Sequence, residues 1–173
     1  MTVTHTHSRS FLAIAALVAA LIALAISAGP ATAAPGEKTI VNTAAQAGQF
    51  NTLLALAKKA GLVAALSGRA PLTVFAPTDA AFKAVPKATL DSLAKDRAAL
   101  RRVLLYHVVK GNVPASRVVT LKSAKTLAGP AIAIRVAGAN VLLNRSTKVV
   151  KTDIAATNGT IHVINKVLLP PAK

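Results

Sequence analysis

Apolar positions recur with helical spacing in the first half of the chain and with a period near two in the second. Thr39 to Gly48 places Ile40, Ala44 and Ala47 on one side and predicts a helix. From Gln49 to Ala60, residues Phe50, Leu53, Leu54 and Ala57 follow the i, i+3, i+4, i+7 order of an amphipathic helix. Lys58 and Lys59 suit its C-terminal end, where the helix dipole favours cations, and Gly61 suits a left-handed stop. Leu62 to Leu66 predicts a second apolar turn or short helix, closed by Ser67-Gly68. Pro71 then opens a strand. Leu72, Val74 and Ala76 alternate with Thr73 and Phe75, and Pro77, which has no N–H for a ladder, stops the run. Thr78 or Asp79 can cap a short helix starting at Ala80, because either side chain accepts from unpaired N–H groups of a first turn. Residues Thr73 to Phe82 therefore read as strand, stop, cap and helix, and the rest of the chain is organised around them.

Pro86 ends that short helix, and Thr89 to Lys95 predicts another. Asp96 is the expected N-cap of a helix over Arg97 to Tyr106, with Leu100, Val103, Leu104 and His107 on its apolar face and Lys110-Gly111 as terminator. Val118 and Val119 open the expected β-rich half. Ala131 to Val136 and Val141 to Leu143 predict a strand pair turning at Gly138 to Asn140, and Lys148 to Asp153 predicts another strand. Thr157-Asn158-Gly159 is a hairpin turn, since Asn and Gly tolerate positive φ. Thr160 to Leu168 is the expected last strand, with Ile161, Val163 and Asn165 on one face and His162, Ile164 and Lys166 on the other. Helices mostly first and strands mostly second predict one α+β domain.

The N-terminus changes what counts as the domain. His5, His7 and Arg9 precede 16 unbroken apolar residues, Phe11 to Ile26. A Ser27-Ala28-Gly29-Pro30 break and the small residues Ala31-Thr32-Ala33 follow. This is the layout of a secretory signal peptide over 1–33, cut after Ala33, with 34–37 as a short leader. The alternative is an uncleaved anchor, for which the run falls short of the roughly 20 residues that span a bilayer core. The expectation is a secreted, extracellular protein with no transmembrane segment after cleavage.

Charge and cysteine usage narrow the chemistry. The formal net charge is +16; residues 1–33 hold Arg9 and no acid, so 20 basic and 5 acidic residues leave +15 on the remainder. Such a surface attracts polyanions: acidic cell-wall polymers, sulfated glycans or anionic lipid. The basic residues are scattered, with Lys58-Lys59 and Arg101-Arg102 as adjacent pairs, which also fits a general solubility effect. Beyond the leader the aromatics are Phe50, Phe75, Phe82 and Tyr106, without the basic–aromatic interleaving that stacks bases, so no specific nucleic-acid binding is expected. The absence of Cys excludes disulfides and thiol catalysis.

Three stretches then carry a resemblance: TVFAPTDAAF at 73–82, LLYHVV at 104–109 and NGTIHVINKVLLP at 158–170. In this order and spacing the chain resembles the fasciclin-like (FAS1) domain family over 38–170, in its small secreted single-domain bacterial form. The resemblance implies a wedge-shaped β-sandwich with several helices packed on it. It also implies a non-enzymatic module for cell adhesion or extracellular binding. No metal or cofactor is expected, since His107 and His162 are 55 residues apart and the acids number five. Tyr106 and His107, flanked by Leu104, Leu105, Val108 and Val109, match a family motif linked to integrin binding, and are a candidate recognition epitope. The terminal motif of the family carries an acid where this chain has Asn165, so no carboxylate hydrogen bond is carried over there.

A competing expectation comes from the residues themselves. His107 lies on an apolar helical stripe, so it is expected to be buried, and a buried imidazole needs partners. Asp79 is the acid expected to pair with it, with His162 as a further member of a structural polar core. A hydrolytic site would need a nucleophile beside a base and an orienting acid; Asp79 with His107 or His162 supplies two parts, but no Ser sits in a nucleophile elbow. Asn144-Arg145-Ser146 and Asn158-Gly159-Thr160 fit the N-glycosylation pattern, the first at chance level and the second better explained by its turn. Function is thus expected in a binding role toward an unknown protein, or alternatively in charge-driven capture of an anionic surface polymer. The oligomeric state is left open.

Overall fold

The computed structural model describes residues 38–171. The expected signal segment 1–33 and leader 34–37 lie outside them. The chain divides into two units, Met1–Pro35 and Gly36–Lys173, and the described residues lie in the second.

Seven helices and seven strands lie among the described residues. Helices α1 (Ile40–Gln46), α2 (Asn51–Ala60) and α3 (Val63–Leu66) come first, then β1 (Leu72–Pro77). Helices α4 (Asp79–Lys83), α5 (Lys87–Lys95) and α6 (Arg97–Tyr106) follow, then β2 (Val108–Lys110) and α7 (Ala115–Val118). The remainder is β3 (Ser123–Lys125), β4 (Ala131–Ala137), β5 (Asn140–Leu143), β6 (Thr147–Ala156) and β7 (Gly159–Ile164).

The strands form one mixed sheet in the order β2-β1-β7-β6-β5-β4-β3. The first motif strand and the last pair in parallel at its heart, from Leu72 opposite Gly159 to Pro77 opposite Ile164. The other pairings are antiparallel. Every residue of β1 and β7 is buried, so both faces of this central pair are covered. On one face Val74, Ala76, Ile161 and Val163 pack with Ile40, Ala44 and Phe50 from the N-terminal helices. On the other, Phe75 and Ile164 meet Tyr106, Ile132, Leu143 and Leu168. Burying each large apolar side chain contributes roughly 1.5–3 kcal/mol, which makes these two layers the main stabilising term. The far half of the sheet folds over the second layer until its ends meet: Val109 bridges Thr126, and Leu127 N–H donates to the Val108 carbonyl at 2.8 Å. The result is a closed, sandwich-like α+β domain, as the period change predicts.

Several local expectations hold for the stated reasons. Gly61 ends α2 in the left-handed region at φ 69°, and Asp96 caps α6 by accepting from Ala98 N and Ala99 N. Three differ. Helix α6 spans Arg97–Tyr106 as expected, but Lys110-Gly111 is not its terminator, because Val108–Lys110 form β2 on the edge of β1. Val118 closes a short helix rather than opening a strand, and the β-rich half begins at Ser123. The last strand ends at Ile164 rather than Leu168; the tail returns Leu168 to the core without ladder pairing. In each case a short apolar run fits both periods, and the available tertiary partner decides.

Candidate functional site

Asp79, Tyr106, His107 and His162 all prove to be tied into the fold, but not to one another. Thr78 caps its own helix, its hydroxyl accepting from Ala81 N at 3.2 Å. That frees Asp79, the next residue, to act on a different helix. Its carboxylate accepts from Thr52 N at 2.7 Å and Asn51 N at 3.3 Å, while its own N–H donates to the Gln49 carbonyl. Helix α2 has Phe50 at its N-cap and no capping side chain of its own, so Asp79 supplies the missing acceptors from 28 residues further along the chain. The Thr52 N–H bond leads the interactions that hold the Asp79 carboxyl below the usual carboxylate range.

The expected Asp79–His107 pair is therefore corrected. His107 is 1% exposed at the end of α6. Its Nδ1 lies 2.8 Å from the Val103 carbonyl, and its Nε2 accepts from Leu168 N at 2.9 Å. Because the Leu168 amide can only donate, Nε2 is unprotonated and the proton sits on Nδ1. Burial pushes the imidazole pKa down to about 4, against the opposing effect of the Val103 bond, so the ring is neutral at pH 7. Helix end and C-terminal tail are joined through a ring whose two nitrogens are both engaged, which leaves none for Asp79.

Asp79→Ala is expected to lower stability by about 1–2 kcal/mol through loss of the α2 cap, with Asp79→Asn costing less. In a double-mutant cycle with His107 the two losses should add, since the side chains share no hydrogen-bonding partner. Denaturant midpoints at pH 7 measure both. An unchanged midpoint for Asp79→Ala, or a coupling above about 0.5 kcal/mol, would contradict this assignment.

Tyr106 is likewise buried, at 2% exposure, so the Tyr106-His107 motif does not present an epitope at the surface. Its hydroxyl donates to the Ala131 carbonyl and accepts from Asn144 Nδ2, whose Oδ1 accepts from Ala133 N. The Asn144 amide of the first glycosylation pattern is thereby engaged in closing the β4–β5 end. His162 stacks on Phe75 with ring centroids 5.5 Å apart. Its Nε2 donates to the Val113 carbonyl at 2.9 Å, and its Nδ1 accepts from Asp153 N at 3.4 Å. Asp153 sits at φ 55°, where β6 shifts register against β7, and its carboxylate accepts from Ala115 N at the start of α7. Asn165 bonds Lys148 through both its backbone and its side chain, so an amide fills the place of the family's acid.

Two polar residues that sequence reasoning passed over are as deeply committed. Asn158, expected only as a turn residue, is buried; it accepts from Ile40 N at 2.8 Å and donates to the Leu66 and Gly68 carbonyls at 2.8 Å each. Its partners are 90 to 118 residues away in sequence, so local periodicity carries no sign of them. Thr73, fully buried within β1, donates to the Gly111 carbonyl and accepts from Val113 N, pinning the loop after β2. Among the described residues no cluster of three His, Asp or Glu is placed to hold a metal ion. No described helix is long and apolar enough to cross a membrane. On the exterior, all described Lys and Arg residues are exposed. Asp79, Asp96 and Asp153 instead direct their carboxylates to N–H groups at helix starts, which leaves the exterior dominated by cations.

Comparison with known proteins bears on this arrangement. The family model described as Fasciclin domain matches residues 48–170. Protein sll1483 of Synechocystis sp. is 45% identical over 135 residues, covering 77% of this chain and 74% of that protein. Transforming growth factor-beta-induced protein ig-h3 of Sus scrofa is 34% identical over 121 residues, covering 70% of this chain but 18% of that larger protein. Among solved structures, a FAS1 domain pair from the insect cell adhesion molecule Fasciclin I aligns with a TM-score of 0.64 at 19% identity. That alignment covers 77% of this chain and 51% of the pair, and it concerns the fold.

Proposed function

The chain belongs to the fasciclin domain family, and on that premise we propose that it is an extracellular binding module of adhesive type, with no catalytic chemistry of its own. One observation carries the reading. Asp79, His107 and His162, the groups considered for acid–base catalysis, have their polar atoms engaged by backbone partners, the two imidazoles inside the fold and Asp79 at the start of α2. A general base needs a free lone pair within reach of a substrate proton, and His107 gives its lone pair to Leu168 N–H. The domain's chemistry is then that of a rigid, cation-rich surface. The Fasciclin I structure comes from a cell adhesion molecule, which favours surface attachment as the role. Export through the N-terminal segment is part of the same proposal.

Photo-cross-linked capture on the native cell surface tests it. Saturable capture, competed by excess unlabelled chain, is the expected result. Turnover of any substrate by the purified chain, lost in His107→Ala with the fold retained, would overturn it.

The exposed cations favour a second reading, in which the module holds an anionic surface polymer by charge. Retention on a sulfated matrix should then fall steeply with added salt, because the gain from releasing counterions shrinks as the salt concentration rises. Retention that is the same at low and high salt would remove this reading.

A further inference from the structure

The two ends of the sheet meet at a seam, and a groove of about 690 Å3 lies over it. Terminal strands β2 and β3 are joined there by the Val109–Thr126 bridge and by the Leu127 to Val108 hydrogen bond. Strand β3 pairs with β4 on one side and borders the groove on the other. The apolar lining comes from Val109, Val113 and Leu121, all packed on the inner core layer. Around them stand the exposed cations Lys110, Arg117 and Lys125, and the lining contains no Asp or Glu. Leu127 adds an apolar edge that is 42% exposed.

The walls of this groove are preformed. Thr73 holds Val113 N, His162 holds the Val113 carbonyl, and Thr160 donates to Asn112 Oδ1 at 2.6 Å. The loop between β2 and α7 is thus fastened to the central strands at three points. Helix α7, which carries Arg117, is held at its start by Asp153. A rigid site loses little conformational freedom when it is occupied.

We propose that the seam groove binds an extended, acidic segment of a partner protein, laid along the free edge of β3 beside the seam with alternate apolar side chains on Val109, Val113 and Leu121. The inference rests on the binding-module reading and specifies where and what that module binds. Edge strands offer backbone groups to an added strand, and the period-two alternation of such a segment matches an apolar floor beneath a charged rim. Its carboxylates would face Lys110, Arg117 and Lys125. A hydroxylated or sulfated glycan fits less well, because seating it on the apolar floor would strip water from polar groups without replacing their hydrogen bonds.

The test uses a fluorescein-labelled peptide of alternating aspartate and valine, with the full chain as receptor. Reversing the rim, with Lys110→Glu, Arg117→Glu and Lys125→Glu together, should weaken binding by at least about tenfold, as loss of complementary charge at an interface does. An equal charge change elsewhere, Lys58→Glu, Lys59→Glu and Lys83→Glu, should leave most of it. A version of the peptide with proline at alternate positions, lacking N–H donors, should bind weakly to the native chain. Should the triple rim variant not fold, the single changes Arg117→Ala and Lys125→Ala read the same loss in smaller steps. Equal loss in rim and control variants, no binding of the peptide, or rim-dependent binding of a heparin probe in its place would overturn the proposal. Cell-surface capture that persists in the rim variant would reject the groove and spare the binding-module reading; absence of capture by the native chain would reject the module itself.

Discussion

Gly159→Ala is expected to abolish the folded state or to destabilise it by more than about 4 kcal/mol, a large part of the roughly 5–15 kcal/mol that holds a typical domain. Gly159 begins β7 with φ at 149°, a conformation that residues with a side chain rarely adopt. A Cβ built there would run into the carbonyl group of Leu72, and that obstacle is backbone, which cannot swing aside. Leu72 is the register partner of Gly159 in the central parallel pair, and its N–H donates to the Asn158 carbonyl at 3.1 Å. Relief by moving β7 is blocked from the other side, because the Asn158 side chain is fastened to Ile40, Leu66 and Gly68. The methyl group must therefore part the two strands that hold both core layers together. Circular dichroism and guanidinium unfolding of the variant measure the effect. A midpoint that corresponds to a loss below about 1 kcal/mol would mean that the β1–β7 contact is looser than this geometry requires.

The second large effect is a pH dependence traced to His107. Its folded pKa is about 4, below the ordinary value of 6.5. Above 6.5 the ring is neutral in both folded and unfolded chains, and its contribution is fully present. As pH falls from 6.5 to 4 the unfolded chain takes up a proton that the folded chain refuses, so stability declines. Below 4 both states are protonated and the decline from this group stops. The gap between those two values corresponds to roughly 3 kcal/mol over that window. The structural reason is direct: a proton on Nε2 would face the Leu168 N–H, setting two donors against each other. His107→Ala should cost about 3–5 kcal/mol at pH 7, since it empties a buried site and orphans the Leu168 amide. It should also remove the slope between pH 6.5 and 4. Urea midpoints of both proteins across that range decide it, and parallel profiles would show that His107 is not the titrating group.

The organising stretch at Thr73 to Phe82 was legible because its signals are local. Alternation, a proline stop and a hydroxyl cap act within a few residues, and β1, Pro77, Thr78 and α4 follow in that order. The same holds for Gly61 and Asp96. Burial of His107 was also visible, as a position on an apolar stripe. Its partners were not. A carboxylate and an imidazole attract on paper, yet Asp79 found two N–H groups at the exposed start of α2, and His107 found the backbone of Leu168. Desolvating a charged pair in the core would have cost more than either arrangement.

Taken alone, the sequence determined the α+β class, most helices, the glycine stop, the family signature and the excess of positive charge, because each depends on composition or on contacts within one turn or one hairpin. Tertiary structure alone decided that Val108 to Lys110 is a strand, that Asn158 is a buried clamp, and that Tyr106 points inward. It also decided that the sheet's two ends close beneath a cation-rimmed groove. Those outcomes depend on which backbone groups arrive opposite one another from distant parts of the chain. A buried donor or acceptor takes the partner that geometry delivers, and periodicity along the chain holds no record of that delivery.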